Sequence, residues 1–206
     1  MGLREWWKRF RASKRFDPER AAGRMPAVTI RPLRDEDIPA CHAIYKANEE
    51  GRFPDNYFEK FEADLKSDGY LWLVVEDAGE LVAVGGVCLH EYKSGTFGFL
   101  AFGMVSPDRH RQGIGSALLL ARLAALSAPE GILGVGMTAT PATVEFYKSY
   151  GFKYAGRSPE EDGNVFDTYY TLMSRPKWEA CRVLLRSSGI DYDPDPLVVP
   201  PSPITL

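Results

Sequence analysis

"RHRQGIGSALLLARLAAL", residues 109–126, opens on charge, tightens onto two glycines and then runs apolar at helical spacing. A helix start leaves backbone N–H groups unpaired and carries a partial positive charge. Gly113 and Gly115 have no Cβ, so a ligand can come close to the main chain there. Arg109 and Arg111 add full charges nearby. The combination suits a phosphate or pyrophosphate. An ordinary strand-to-helix turn also needs glycine, and two glycines alone do not separate the readings. The full run is more specific: a strand, Pro107, a basic cluster, Gly-Ile-Gly and a small polar residue at the helix start. A P-loop is excluded, because Gly115 is followed by Ser116 and Ala117 rather than by Lys and a hydroxyl. A dinucleotide fingerprint is excluded as well, because its third small residue is Leu118 here.

Outward from this turn, "SGTFGFLAFGMVS" (94–106), ended by Pro107, reads as the strand that feeds it, and residues 113–127 as the helix that follows. Before the strand, 70–78 and 80–92 read as a hairpin joined at Ala78-Gly79. Further upstream, 27–33 is a strand, "RDEDIPACHAIYKANEE" a helix with an acidic start, and "DNYFEKFEADLKSDG" a second helix. Downstream come a short buried strand at 131–139 and a helix in "PATVEFYKSYG", with Pro141 near its first turn. Two strands at 152–158 and 165–173 follow, then an amphipathic helix at 176–189. The order predicts a mixed α/β fold, a mostly antiparallel central sheet flanked by helices, with one parallel pair around the 113–127 helix. The expected division is a basic amphipathic leader at 1–25, a domain at 26–175, and a helix with a Pro-rich tail at 176–206.

Charge is uneven along the 206 residues. The leader carries eight Lys or Arg against three acids, so the overall net charge of −3 leaves an acidic body. Leu3, Trp6, Trp7 and Phe10 fall on one helical face, which admits a membrane-surface or nucleic-acid role. Docking on the chain's own domain, or on a second subunit in a homodimer, is the plainer reading. The acidic body argues against nucleic acid as a partner. The longest apolar stretch, "SALLLARLAALSA", is too short to span a bilayer and is interrupted by Arg122. Three scattered cysteines, Cys41, Cys88 and Cys181, argue against a disulfide framework and a metal site. They suggest a reducing cytoplasm, with each cysteine a small hydrophobe.

"VSPDRHRQGIGSALL" resembles motif A of the GNAT acyltransferase superfamily, and "TATPATVEFYKSYGF" is similar to its motif B. "TIRPLRDEDIPA" resembles the usual first strand and helix, so the likeness runs over about residues 27–175. The resemblance implies a GNAT-like fold and acetyl-CoA, or another acyl-CoA, as acyl donor. It places main-chain amides of Arg111, Gln112, Gly113, Ile114, Gly115 and Ser116 around the pyrophosphate. It gives Met104 and Val105 the pairing with the pantetheine arm and polarisation of the thioester carbonyl. Tyr147 matches the tyrosine that protonates the departing thiolate, a role open to a phenol whose ordinary pKa is ~10. The plain alternative for Tyr147 is a core aromatic, a part that suits Phe146 and Tyr150 better. Two positions depart from the pattern: His110 stands where Gln or Arg is usual, and Thr140 where Asn is common.

The resemblance implies direct attack of an amine, small-molecule or peptide, on the thioester. A general base is hard to find, because the strand before the turn holds no acid. The candidates are Glu49, Glu50, Glu76, His90 and Glu91, or a water relay. Freeing a lysine-like amine at pH 7 costs roughly 4.6 kcal/mol, a peptide α-amine only about 1 kcal/mol. The missing acid therefore leans toward a low-pKa acceptor. Acidic loops bearing Glu49, Glu50, Glu160, Glu161 and Asp162 suit a cationic acceptor, although loops are often charged for solubility. The competing reading is an acyl-CoA sensor or partner-binding pseudoenzyme of the same fold.

Overall fold

The computed structural model describes residues 16–49, 53–54, 57–92, 95–127, 131–159, 165–192 and 199–200. Seven strands form a single sheet: β1 (Thr29–Pro32), β2 (Leu71–Asp77), β3 (Glu80–Tyr92), β4 (Gly95–Val105), β5 (Ile132–Ala139), β6 (Lys153–Pro159) and β7 (Val165–Leu172). Their order is β1-β2-β3-β4-β5-β7-β6. Every neighbouring pair is antiparallel except β4 and β5, which run parallel as expected of a connection through a helix. The helices are α1 (Ile38–Glu49), α2 (Tyr57–Leu65), α3 (Ile114–Ala125), α4 (Val144–Ser149) and α5 (Arg175–Ser187).

Local chemistry explains the joints. Ala78 and Gly79 both take positive φ, 52° and 82°, matching the twist of a two-residue hairpin between β2 and β3. Arg31 ties β1 to the start of α1 by a fork on Asp37, with Nη1 to Oδ2 at 2.7 Å and Nη2 to Oδ1 at 2.8 Å. Its Nε donates to Glu76 on β2 at 2.9 Å. Asp37 also accepts the Arg34 N–H at 2.7 Å, fixing the entry to the helix. Pro141 does not sit in the first turn of α4. Residues 141–143 form a turn in which the Thr143 hydroxyl donates to the Thr140 carbonyl at 3.1 Å, and the helix begins only at Val144.

α3 is buried nearly all round, and Leu119, Leu120 and Leu123 are wholly enclosed against β2, β3 and β4. Each contributes about 1.5–3 kcal/mol by leaving water. A second apolar cluster on the opposite sheet face joins α1 and α2 to Trp72, Val74, Val84 and Met104. Cys41, Cys88 and Cys181 are buried and in no disulfide, and burial pushes the Cys41 and Cys181 thiols up to about 12, so those two behave as hydrophobes.

Residues before β1 and after α5 close on this body. Phe16 and Ala21 are fully buried, and the 3-10 turn Pro18–Ala21 packs on α3 and α5. Leu3, Trp6, Trp7 and Phe10 lie outside the described residues. After α5, the Asp191 carbonyl accepts the Ile30 N–H, and the Asp191 N–H donates to the Val28 carbonyl. The Tyr192 hydroxyl reaches the Ala121 carbonyl at 2.8 Å, and Leu89 donates to Pro200.

Candidate active site

β4 and β5 are paired only from Thr96–Ile132 to Leu100–Met137; beyond Leu100 the two strands part. The cause lies in β4. Phe102 takes φ 43°, and the β3–β4 register slips between Val84 and Gly86. This bulge turns the end of β4 away from its parallel neighbour and opens a wedge between them. The Ser106 N–H donates to the Val82 carbonyl, so by the alternation of an antiparallel ladder Met104 N–H faces β3 and Val105 N–H faces away from it. Met104 also buries its side chain in the α1–α2 cluster. Of the two strand residues singled out from sequence, Val105 is the one that presents a main-chain donor to the wedge.

β4 leads into the glycine turn at the mouth of α3. Arg111 and Gly113 both take positive φ, 62° and 87°, which folds successive amides into a concave nest. The N–H groups of Arg111, Gln112, Gly113, Ile114 and Gly115 find no acceptor among the described residues, whereas Ser116 N–H is turned back on the Gly113 carbonyl. Ser116 contributes otherwise: its hydroxyl accepts a 2.7 Å bond from Tyr150. Five unpaired amides at a helix start form an anion site by themselves.

The two glycines have different jobs. A Cβ on Gly115 would meet only Val105 and Phe146, at 3.7 and 3.9 Å, leaving the approach open. A Cβ on Gly113 would lie 1.8 Å from the Arg24 carbonyl oxygen, so the space beside it is filled by the chain's own N-terminal strap rather than kept for a ligand. Arg109 also departs from expectation. Its guanidinium bonds Asp77 at 3.2 Å and Glu80 at 3.0 Å across the β2–β3 hairpin, which neutralises it beside the turn. Arg111 remains exposed, Gln112 donates to the Asp108 carbonyl, and the His110 ring lies 2.9 Å from the Val105 carbonyl.

Tyr147 on α4 is 6% exposed, more enclosed than Phe146, which lies half-buried beside Gly115. Its hydroxyl oxygen stands 3.1 Å from where a Cβ on Gly103 of β4 would be, at the bulge. Its hydroxyl makes no hydrogen bond among the described residues. Thr140 is held in the turn before α4, with its hydroxyl 3.3 Å from that of Thr143.

The base candidates scatter. Glu76 is engaged by Arg31 at the β1 side of the sheet. His90 and Glu91 lie at the far end of β3, opposite Phe97 and Thr96, where β4 is still paired. Burial lowers the His90 pKa to about 4, and its ring stacks on Phe99. Glu50, Glu160, Glu161 and Asp162 lie outside the described residues. Glu49 remains, exposed at the end of α1 next to Asn48, whose amide donates to the Val105 carbonyl at 3.0 Å. One turn earlier on α1, Tyr45 stacks on Phe53 and Phe61. Burial, with the Glu49 charge second, raises the Tyr45 phenol to about 12.

Sequence reasoning missed Asn48, the strap at Arg24 and the buried Arg122. Only Arg122 left a signal, as a lone charge inside an apolar helix. Among the described residues no group of three potential metal ligands occurs, and no helix is long and apolar enough to cross a membrane.

Residues 68–154 match the family described as acetyltransferase (GNAT) domain. No curated protein sequence matches the chain. The ribosomal-protein-S18-alanine N-acetyltransferase from Escherichia coli is similar at 25% identity and a TM-score of 0.55, over 71% of this chain and 94% of its own. A GNAT-family structure from Desulfovibrio desulfuricans shares the fold at 16% identity and a TM-score of 0.61, over 72% of this chain and 100% of its own. N-acetylglutamate synthase from Neisseria gonorrhoeae, solved with coenzyme A and N-acetyl-glutamate, shares it at 24% identity and a TM-score of 0.55. That likeness spans 72% of this chain and 35% of the synthase.

Proposed function

We propose that this chain, which carries a GNAT acetyltransferase domain, moves an acetyl group from acetyl-CoA to an amine by direct attack, with Tyr147 protonating the thiolate that leaves. The observation that carries the reading is the free Tyr147 hydroxyl standing over Gly103, at the point where β4 parts from β5. The pyrophosphate lies on the unpaired amides from Arg111 to Gly115, and the pantetheine arm enters the wedge beside Val105. Holding donor and acceptor in one cleft supplies much of the acceleration. The Val105 N–H is aimed where negative charge grows on the carbonyl oxygen. Residues 26–175 are the catalytic unit in this reading, flanked by the basic leader at 1–25 and the helix and Pro-rich tail at 176–206. Its three cysteines, none of them in a disulfide, suit a reducing cytoplasm.

With Glu76 engaged and His90 buried far from the wedge, Glu49 is the carboxylate left near the acceptor side. A single exposed carboxylate is a weak base, which favours an acceptor that is already partly neutral near pH 7, such as a peptide α-amine. The likeness to an enzyme named for acetylating an alanine supports the same class. The test is thiol release from acetyl-CoA across a panel of peptide α-amines, lysine side-chain analogues and polyamines. Turnover is expected with the first, and Tyr147→Phe should reduce it while leaving CoA affinity nearly intact. Unchanged turnover in that variant removes Tyr147 from the mechanism.

The scatter of the base candidates favours a second reading, an acyl-CoA sensor. Tight CoA binding with no turnover on any amine would select it.

A further inference from the structure

Arg122 occupies the third turn of α3 at 1% exposure, with Leu118, Ala121, Ala125 and Leu126 in the turns on either side. Two glycines on adjacent strands make room for its guanidinium. A Cβ on Gly85 of β3 would meet Cζ and Nη1 at 3.1 Å, and one on Gly103 of β4 would meet Nη2 at 2.6 Å. The Gly103 position is also the one that lies 3.1 Å from the Tyr147 hydroxyl, so guanidinium and phenol converge on a single strand residue. Nη1 donates to the Ala101 carbonyl at 3.3 Å, and Nε is buried without an acceptor. Among the described residues no carboxylate pairs with Arg122. On β2, Glu76 and Asp77 are turned to Arg31 and Arg109, and on α5 Arg182 is turned to Ser127. Among the described residues, Tyr147 is the titratable side chain that shares the space at Gly103 with it.

A buried guanidinium without a counter-charge is costly, and an apolar side chain of similar volume would be cheaper at this place. A cation kept there is accounted for if an anion arises within its reach. The wedge beside Tyr147 is where the C–S bond breaks in the reading above, on which this inference rests. We infer that Arg122 is a fixed counter-charge for the coenzyme A thiolate. The amine lone pair forms the C–N bond and the C–S bond breaks with its electron pair on sulphur. The amine then loses one proton to solvent or base. Tyr147 gives its phenolic proton to sulphur and regains one from solvent. Arg122 stays charged throughout and exchanges no proton. An acyl-chain carboxylate is the less favoured anion, because Arg122 belongs to the α3 face of the sheet and the α1–α2 cluster lies on the other.

The test is calorimetric titration of free CoA and of desulfo-CoA, which lacks the sulphur, between pH ~7 and ~10, spanning the ionisation of an ordinary thiol near ~8.5. In the wild type the preference for CoA over desulfo-CoA should rise by about tenfold or more across that range. Arg122→Lys should keep part of the rise, and Arg122→Met should lose it with desulfo-CoA affinity unchanged. Turnover of Arg122→Met should fall by about 100-fold with little change in KM for acetyl-CoA. The same variant should unfold at a higher temperature, opposite to what a purely structural arginine would give. A flat preference in the wild type, or a rise that survives in Arg122→Met, overturns the assignment with the acyltransferase reading intact. If the wild type binds neither ligand, the acyltransferase reading falls and takes this one with it.

Discussion

Substituting Gly113 and Gly115 separately by Ala should move stability in opposite directions. At Gly113 an L-residue must hold φ at 87°, which costs about 1–2 kcal/mol. Its Cβ would stand 1.8 Å from the Arg24 carbonyl oxygen and 2.8 Å from the Arg24 carbonyl carbon. Backbone cannot swing aside as a side-chain tip can, so the strap must retreat by more than an ångström. That movement loosens Met25 and strains the seat of Ala21 and Phe16, both fully buried. Full burial of one such aromatic contributes about 1.5–3 kcal/mol, so partial loss brings the total to roughly 2–4 kcal/mol. Gly115 lies in the first turn of α3 with ordinary van der Waals space around a new Cβ, and Ala there gains up to about 1 kcal/mol over Gly. Urea unfolding of the two variants is the assay, read as a midpoint shift at unchanged slope. Equal responses within about 0.5 kcal/mol would refute the claim that the strap fills the space at Gly113.

Gly115→Asp puts a carboxylate at a helix start, where the macrodipole welcomes it, but beside the pyrophosphate seat. Stability should hold while CoA affinity falls about 100-fold, from like charges ~6 Å apart at an effective dielectric of ~20; wild-type affinity by calorimetry would contradict the amide cradle. Asp37 is held below the ordinary carboxylate range, first by its bond to Arg31 and then by the Arg34 N–H. Its contribution is therefore present above pH ~4 and lost as pH falls through the lowered value, so Asp37→Asn should flatten the acid limb of a stability–pH profile. His90, lowered to about 4 by burial, stays neutral in the fold while the unfolded chain protonates near pH ~6.5. Stability should accordingly drop by up to about 3 kcal/mol between pH ~6.5 and ~4, and His90→Phe, which can keep the stack on Phe99, should remove that slope in thermal melts.

The elements were legible where periodicity and punctuation agreed. The 80–92 strand, the Ala78-Gly79 hairpin and the helix after Gly113 appear within a residue or two of their expected bounds. The place of Tyr147 on a helix was legible because the run from Val144 has helical spacing with Gly151 past its end. Arg109 was not, since its partners Asp77 and Glu80 come from about thirty residues away and meet it only once the hairpin folds back. The two roles of Gly113 and Gly115 were equally hidden. Absence of a side chain looks the same in sequence whether the vacated space admits a ligand or the chain's own backbone. Arg122 looked like an interruption of an apolar run because burial on every side of α3 is a tertiary fact, set by the sheet beneath and α5 above.

Asp191 exchanges two main-chain bonds with Val28 and Ile30 along the outer side of β1. An open rim of donors and acceptors invites another molecule to add a strand, and here Asp191 of the same chain has already taken that berth. The Asp191 pairing thus caps the edge of β1, and a change that removes it exposes those main-chain groups again.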